Sequence, residues 1–181
     1  MVTAVYDAGA TVEVTRVAHG DSAIAAAVGN VRLVVTDFDG VMTDSRVLVF
    51  DDGREAVVCT RADGLGCDML REAGIAVLIM STERNPVVTA RATKLGVDVI
   101  QGCPDKGAAV RDLLASRGLG PDELLYIGND VNDLPAFAEV AITVAPSDAH
   151  PSVRGRATIV TAARGGDGVL REVADLLGQQ R

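Results

Sequence analysis

From Val31 onward the chain alternates short β-branched runs with amphipathic segments, the pattern of a parallel sheet covered by helices in a three-layer α/β arrangement. The runs are Val31–Thr36, Ile75–Met80, Val97–Ile100, Leu124–Ile127, Ala141–Val144 and Thr158–Val160. The segments between them have readable ends. Asn85 followed by Pro86 predicts an N-cap and a first-turn proline; Val88, Ala92 and Leu95 share one face, and Gly96 stops the helix. Asp105 caps the next, whose apolar side is Val110, Leu113 and Leu114 and whose end is Gly118. Asp167 starts the last, running through Leu170, Val173 and Leu177 to Gly178.

One stretch breaks the alternation. Val47–Phe50, then Asp51-Asp52-Gly53, then Ala56–Thr60 read as a β-hairpin around an Asp-Gly turn. It falls between the first strand and the first helix, above the carboxyl ends of the strands, where open α/β sheets place ligands, so it is expected to act as a small flap. Residues 1–30 have no clear period. Thr11–Val17 alternates like a strand and Ser22–Val28 starts a short helix, so this stretch is expected to be an N-terminal arm before a domain spanning 31–178. No repeat or low-complexity tract is present.

Composition narrows the function classes. A chain of 181 residues is one domain's worth, and 48% hydrophobic residues supply a core. With 17 Lys+Arg against 25 Asp+Glu the net charge is −8, and no basic stretch is concentrated, which argues against nucleic acid or an anionic membrane as partner. Ala23–Val28 is too short for a membrane span or a signal-peptide core, so a cytoplasmic protein is expected. Cys59, Cys67 and Cys103 are odd in number, lack metal-site spacing and read as reduced thiols. Three Phe, two Tyr and no Trp predict an aliphatic core and exclude aromatic stacking as a main binding mode.

The first strand ends in Thr36-Asp37-Phe38-Asp39-Gly40-Val41, where the spacing turns both acids to one side of an extended chain. Two close carboxylates are costly unless a cation neutralises them or one holds a proton; the alternative is a polar strand end entering a turn. The second strand ends in Met80-Ser81-Thr82, Lys106 opens the helix after the third, and the fourth ends in Gly128-Asn129-Asp130-Val131-Asn132-Asp133. Each has a plain alternative: Ser81 as a helix cap, Lys106 as a solvated side chain, Asp130 or Asp133 as a cap. In order, however, the strand ends deliver an acid pair, a hydroxyl, a lysine and an acid-amide cluster.

These segments resemble the four ordered motifs of the haloacid dehalogenase-like superfamily, and the resemblance spans about Val31 to Leu177. It implies a Rossmann-like fold and a Mg2+-dependent phosphatase, with Asp37 as nucleophile forming an aspartyl-phosphate and Asp39 as acid and base. Ser81, Thr82 and Lys106 would bind phosphate, Asp37 and Asp39 would hold the metal, and Asp133 would stand behind them, pairing with Lys106. A carboxylate attacking a phosphate dianion needs a cation and a lysine to neutralise charge, and hydroxyl donors for the equatorial oxygens. The second acid can protonate the departing alkoxide and then activate water, which argues against a dehalogenase. One departure stands out: the fourth motif usually begins Gly-Asp, whereas this chain has Gly-Asn, so Asn129, Asp130 or both would complete the metal shell.

Only about thirty residues separate Gly40 from the second strand, which leaves no room for a large cap and argues against phosphomutase or phosphonate chemistry. The arrangement resembles the 3-deoxy-octulosonate 8-phosphate phosphatase type, as does the tail Gly165–Glu172; that subfamily implies a homotetramer whose neighbouring subunits close each other's sites. Ser81–Val88 and Gly128–Pro135 also resemble the phosphatase domain fused to some bacterial acylneuraminate cytidylyltransferases. At Glu83, octulosonate enzymes usually carry Arg, whereas ketodeoxynononate 9-phosphate phosphatases share Glu there and a Lys at the position of Lys94. The resemblance therefore implies a nine-carbon sialic-type sugar acid phosphate as substrate, with octulosonate 8-phosphate as the alternative. Glu83 and Lys94 can equally be a helix-end charge and a solvated lysine. Asp63, in Asp63-Gly64, matches a subfamily element that touches substrate, or is simply a turn. His19, His150, Arg154 and Arg156 read as surface residues, and Cys67 and Met69 as a helix face. The competing class is a non-catalytic oligomerisation module, against which Asp37, Asp39, Ser81 and Lys106 argue together.

Overall fold

A computed structural model describes residues 2–5, 11–14, 16–17 and 28–178. Eleven strands are formed among them: β1 Val2–Val5, β2 Thr11–Val14, β3 Arg16–Val17, β4 Leu33–Thr36, β5 Leu48–Val49, β6 Glu55–Ala56, β7 Ala76–Met80, β8 Asp98–Ile100, β9 Leu124–Ile127, β10 Ile142–Ala145 and β11 Ile159–Val160. The helices are α1 Arg61–Glu72, α2 Val87–Leu95, α3 Lys106–Arg117, α4 Leu134–Phe137, α5 Pro151–Arg154 and α6 Val169–Gly178.

The main sheet runs β3-β11-β10-β9-β4-β7-β8, parallel throughout except for β3, which pairs antiparallel with β11 at one edge. Its side chains alternate between two apolar layers, as a period of two requires. Val34, Val77, Ile79, Leu125 and Ile127 face Leu70, Val88, Leu170 and Val173 of α1, α2 and α6. Leu33, Val35, Leu78, Leu124 and Tyr126 face Val110, Phe137 and Val153 of α3, α4 and α5. This is the expected three-layer Rossmann-like α/β fold, with an aliphatic core. No helix among the described residues is long and apolar enough to cross a membrane.

The strand order places the chemistry. β4 is central, with β7 on one side and β9 on the other, and Thr36 pairs in register with both Ile79 and Ile127. The chain leaves all three strands at one level, and the order reverses there, so the crevice of an open α/β sheet opens above β4.

Helix ends follow local chemistry with instructive exceptions. Asp105 accepts the Ala108 N–H at 2.9 Å, and Gly96 and Gly118 close α2 and α3 in the left-handed conformation. Asn85 Oδ1 accepts the Val87 N–H at 3.1 Å. Asp167 does not cap the last helix, which begins at Val169; its Leu170 N–H instead donates to Asp63 Oδ1 from α1, at 3.0 Å. Gly178 lies inside that helix rather than past its end. The hairpin is shorter than the hydrophobic run suggested, only β5 and β6 pairing, with a separate bridge between Thr43 and Cys59. In the segment read as an arm, Thr11–Val17 forms two strands instead of one; β1 and β2 pair with each other, and β3 joins the main sheet. Val28 is buried in the core, while the expected helix over residues 22–27 lies outside the described residues.

Candidate active site

The carboxyl ends of β4, β7 and β9 converge on an open cleft of about 280 Å³ lined by Asp37, Asp39, Ser45, Thr82, Asn129, Asp130, Val131 and Asn132. Asp37 stands at its base. Its Oδ1 accepts the Phe38 N–H at 2.7 Å and lies 2.8 Å from Lys106 Nζ. The first turn of α3 brings Lys106 under the sheet edge, where the side chain is 1% exposed and also reaches Asp133 Oδ1 at 2.7 Å. Two carboxylates thus share one ammonium. Burial lifts the Asp37 carboxyl to about 7, Asp133 pushing the same way and Lys106 opposing. Burial works against the lysine's charge, yet the two acids hold its pKa above the ordinary value.

Asp133 is the hub of this arrangement. Its Oδ1 accepts from Lys106 and from the Tyr126 hydroxyl, at 2.9 Å, and its Oδ2 accepts the backbone N–H groups of Asn129, at 2.9 Å, and Asp130, at 3.2 Å. A buried carboxylate with every lone pair engaged is a rigid one. No motif marks Tyr126, although a lone hydroxyl in the apolar run Leu124–Ile127 is a signal that a buried polar partner exists.

The fourth strand end brings Asn129 against the acid pair. In the amide orientation that satisfies its neighbours, Asn129 Nδ2 donates to the Asp39 carbonyl oxygen at 2.9 Å and to Asp37 Oδ2 at 3.3 Å. Asp130 lines the same cleft, and its Oδ1 accepts the Val131 N–H at 2.7 Å and caps the 3-10 turn Val131–Asp133. Turning the Asn129 amide over presents its oxygen to the same two atoms, so a carboxylate, a backbone carbonyl and an amide oxygen meet at one point. Such hard oxygen donors suit Mg2+. Among the described residues no three His, Cys, Asp or Glu side chains gather to hold a metal.

Asp39 is held by a loop that the sequence did not reveal. The buried Thr43 hydroxyl accepts from the N–H groups of Gly40, at 3.3 Å, and Ser45, at 3.2 Å, and donates to Asp39 Oδ1 at 3.4 Å. Gly40 has φ +85°, and a Cβ there would lie 2.0 Å from the Asn129 amide, so only glycine fits. The loop is braced from behind: Gly166 N–H donates to the Val41 carbonyl at 3.0 Å, and a Cβ on Gly165 would meet the Gly40 oxygen at 2.3 Å. Burial raises the Asp39 pKa, Glu83 adding to it and the Thr43 hydrogen bond opposing, the direction a general acid requires.

The other predicted site residues divide. Thr82 lines the cleft; Ser81 is buried, and its Oγ accepts the Glu83 N–H at 3.0 Å. Glu83 is at the rim, with Oε1 accepting from the N–H groups of Arg84 and Asn85, at 2.5 and 2.8 Å. Lys94 is exposed in the last turn of α2, at the opposite end of the helix from the loop that carries Glu83. Asp63 is neither at the cleft nor in a turn. It sits in the first turn of α1, wholly enclosed, and caps α6, because a helix N-terminus offers unpaired N–H groups to any carboxylate within reach. His150 is exposed, and its Nδ1 accepts the Ser152 N–H at 3.2 Å; His19 lies outside the described residues.

A family model for haloacid dehalogenase-like hydrolases matches residues 69–173. A 3-deoxy-D-manno-octulosonate 8-phosphate phosphatase from Yersinia pestis is 38% identical over 149 residues, covering 82% of this chain and 80% of that protein. The chain therefore belongs to the haloacid dehalogenase-like hydrolase family. Among solved structures, a candidate HAD family hydrolase from Streptomyces avermitilis is 51% identical with a TM-score of 0.79, covering 81% of this chain and 84% of its own. A 3-deoxy-D-manno-octulosonate 8-phosphate phosphatase from Moraxella catarrhalis, solved with magnesium, phosphate and KDO, is 28% identical with a TM-score of 0.85, covering 90% and 94%.

Proposed function

We propose that the chain is a Mg2+-dependent phosphatase that hydrolyses the phosphate monoester of a 2-keto-3-deoxy sugar acid. The observation that carries this reading is Lys106 held between Asp37 and Asp133, while the other Asp37 oxygen faces Asn129 and the Asp39 carbonyl. Asp37 attacks phosphorus as the ester P–O bond breaks, and Asp39 gives its proton to the leaving alkoxide oxygen. Asp39 then takes a proton from the water that attacks the aspartyl-phosphate, releasing phosphate and restoring Asp37. In this reading Lys106, Ser81 and Thr82 neutralise and orient the phosphoryl oxygens. Asp37, the Asp39 carbonyl and Asn129 would hold Mg2+, which when bound supplies positive charge against the phosphate.

The substrate's carbon chain is the finer part of the reading. Glu83, in the place where octulosonate enzymes carry Arg, favours a nine-carbon sialic-type acid 9-phosphate; the octulosonate 8-phosphate phosphatases among the relatives favour the eight-carbon acid. The cleft is small, and no hairpin residue lines it. The hairpin instead presents Leu48, Val49 and Val58 at 64, 65 and 75% exposure, which supports a homotetramer in which a neighbouring subunit covers each cleft. Light scattering that finds only monomer removes that part.

The test is phosphate release with Mg2+ from ketodeoxynononate 9-phosphate, N-acetylneuraminate 9-phosphate, octulosonate 8-phosphate and hexose phosphates, beside Asp37→Asn. One sugar acid phosphate is expected to win by orders of magnitude, with no turnover by the variant. An Asp37→Asn protein retaining more than a few per cent of activity overturns the mechanism, and no turnover of any ester favours an assembly module.

A further inference from the structure

Ser45 is the one non-glycine residue with positive φ among the described residues, at +62°. An L-residue is strained in this conformation, and those that adopt it with ease are Asn and Asp, whose side chains hydrogen-bond locally. Ser45 has no such support. Its N–H donates to Thr43 Oγ1, but its hydroxyl makes no hydrogen bond among the described residues. The side chain lines the mouth of the catalytic cleft. A Cβ placed on Gly40 would lie 2.6 Å from Ser45 Oγ and 2.0 Å from the Asn129 amide, so the hydroxyl stands next to the proposed metal ligand. The same Thr43 hydroxyl that fixes the Ser45 backbone also fixes the Asp39 carboxylate, so Ser45 flanks the group that protonates the leaving alcohol.

Backbone strain retained at the mouth of a reactive cleft, beneath an exposed hydroxyl with no protein partner among the described residues, points to a role in meeting a bound molecule. From this geometry we infer that Ser45 is a specificity-determining residue, whose hydroxyl hydrogen-bonds the sugar portion of the ester beside the scissile bond. The inference rests on the phosphatase reading above and adds the residue that distinguishes a polyol leaving group from any other.

Two variants separate the hydroxyl from the backbone. Ser45→Ala keeps the strained conformation and loses the hydroxyl; Ser45→Gly loses both. Each is assayed on the best sugar phosphate of the panel and on p-nitrophenyl phosphate, which has no hydroxyl to offer. Both variants are expected to lose about five- to tenfold in kcat/KM on the sugar phosphate, mainly through KM, and to stay within about twofold on p-nitrophenyl phosphate. Ser45→Gly is also expected to melt about 2 °C higher, because the strain is relieved. Unchanged kcat/KM on the sugar phosphate overturns the inference. So does an equal loss on both esters, which would place Ser45 in the support of Asp39. If the wild type prefers a hexose phosphate, the sugar-acid reading falls while the Ser45 ratio is still read on that ester.

Discussion

Replacing Asp63 with asparagine measures what an enclosed carboxylate costs this fold. Asp63 Oδ1 accepts the Leu170 N–H, Oδ2 has no partner, and burial lifts the carboxyl from the ordinary 3.8 to about 6, the Leu170 hydrogen bond opposing. The folded chain therefore holds this proton more tightly than the unfolded one. The stability it contributes is full below about pH 3.8 and is lost as pH rises through about 6. A separation of about two pH units, at 1.36 kcal/mol each, amounts to about 3 kcal/mol, and the enclosure of Asp63 leaves no solvent screening to reduce it. Asp63→Asn keeps the shape and the acceptor for Leu170 but does not titrate. Urea unfolding of both proteins between about pH 4 and about pH 7.5 gives the difference in stability, in which every other titrating group cancels. The variant is expected to gain about 2.5 kcal/mol on the wild type across that range, most steeply near pH 5. A difference flat to within about 0.5 kcal/mol refutes the reasoning. A slope of the opposite sign would mean that the Arg91 guanidinium, which favours the ionised form, outweighs burial.

Three further outcomes follow from the buried network. Lys106→Met leaves Asp37 and Asp133 facing each other without a cation and should cost about 3–5 kcal/mol in chemical denaturation; a loss below about 1 kcal/mol contradicts the shared-ammonium picture. Tyr126→Phe removes one donor from Asp133 and should cost about 1.5–3 kcal/mol while leaving KM unchanged, since the ring is buried away from the cleft; a rise in KM with stability intact would contradict this. Asn129→Asp adds a charge beside Asp37, so in EDTA the variant should melt lower than the wild type, and by calorimetry it should bind Mg2+ about tenfold tighter. Equal melting points and equal affinities would place Asn129 outside the metal shell.

The strands were legible because β-branched runs keep their period, and Asp37, Ser81, Lys106 and Asn129 were legible because each opens an element or lies within two residues of the end of one that the sequence marks. What was not legible depends on contacts across the chain. Asp63 looks like a substrate residue until Leu170, brought against it by the packing of α1 on α6, claims its carboxylate. The choice between Asn129 and Asp130 is a matter of backbone direction: one side chain points back to Asp37, and the next closes its own turn. Thr43 and Ser45 carry no periodic or motif signal, and their roles arise from the turn that folds them over Asp39. The paired part of the hairpin is shorter than its apolar run because an exposed run reads the same whether it pairs within the chain or is left bare.

The contact of Gly165 and Gly166 with the Asp39–Thr43 loop has a consequence for the order in which the enzyme becomes competent. The ribosome delivers Asp37 and Asp39 more than a hundred residues before the segment that braces them. Closing so long a loop is slow, and local contacts form well ahead of it. A nascent chain can therefore complete β4, β7 and the helix bearing Lys106 while its Asp39–Thr43 loop is still unsupported. Phosphate-ester hydrolysis should thus appear late in refolding, in step with α6 docking and behind the recovery of helical signal.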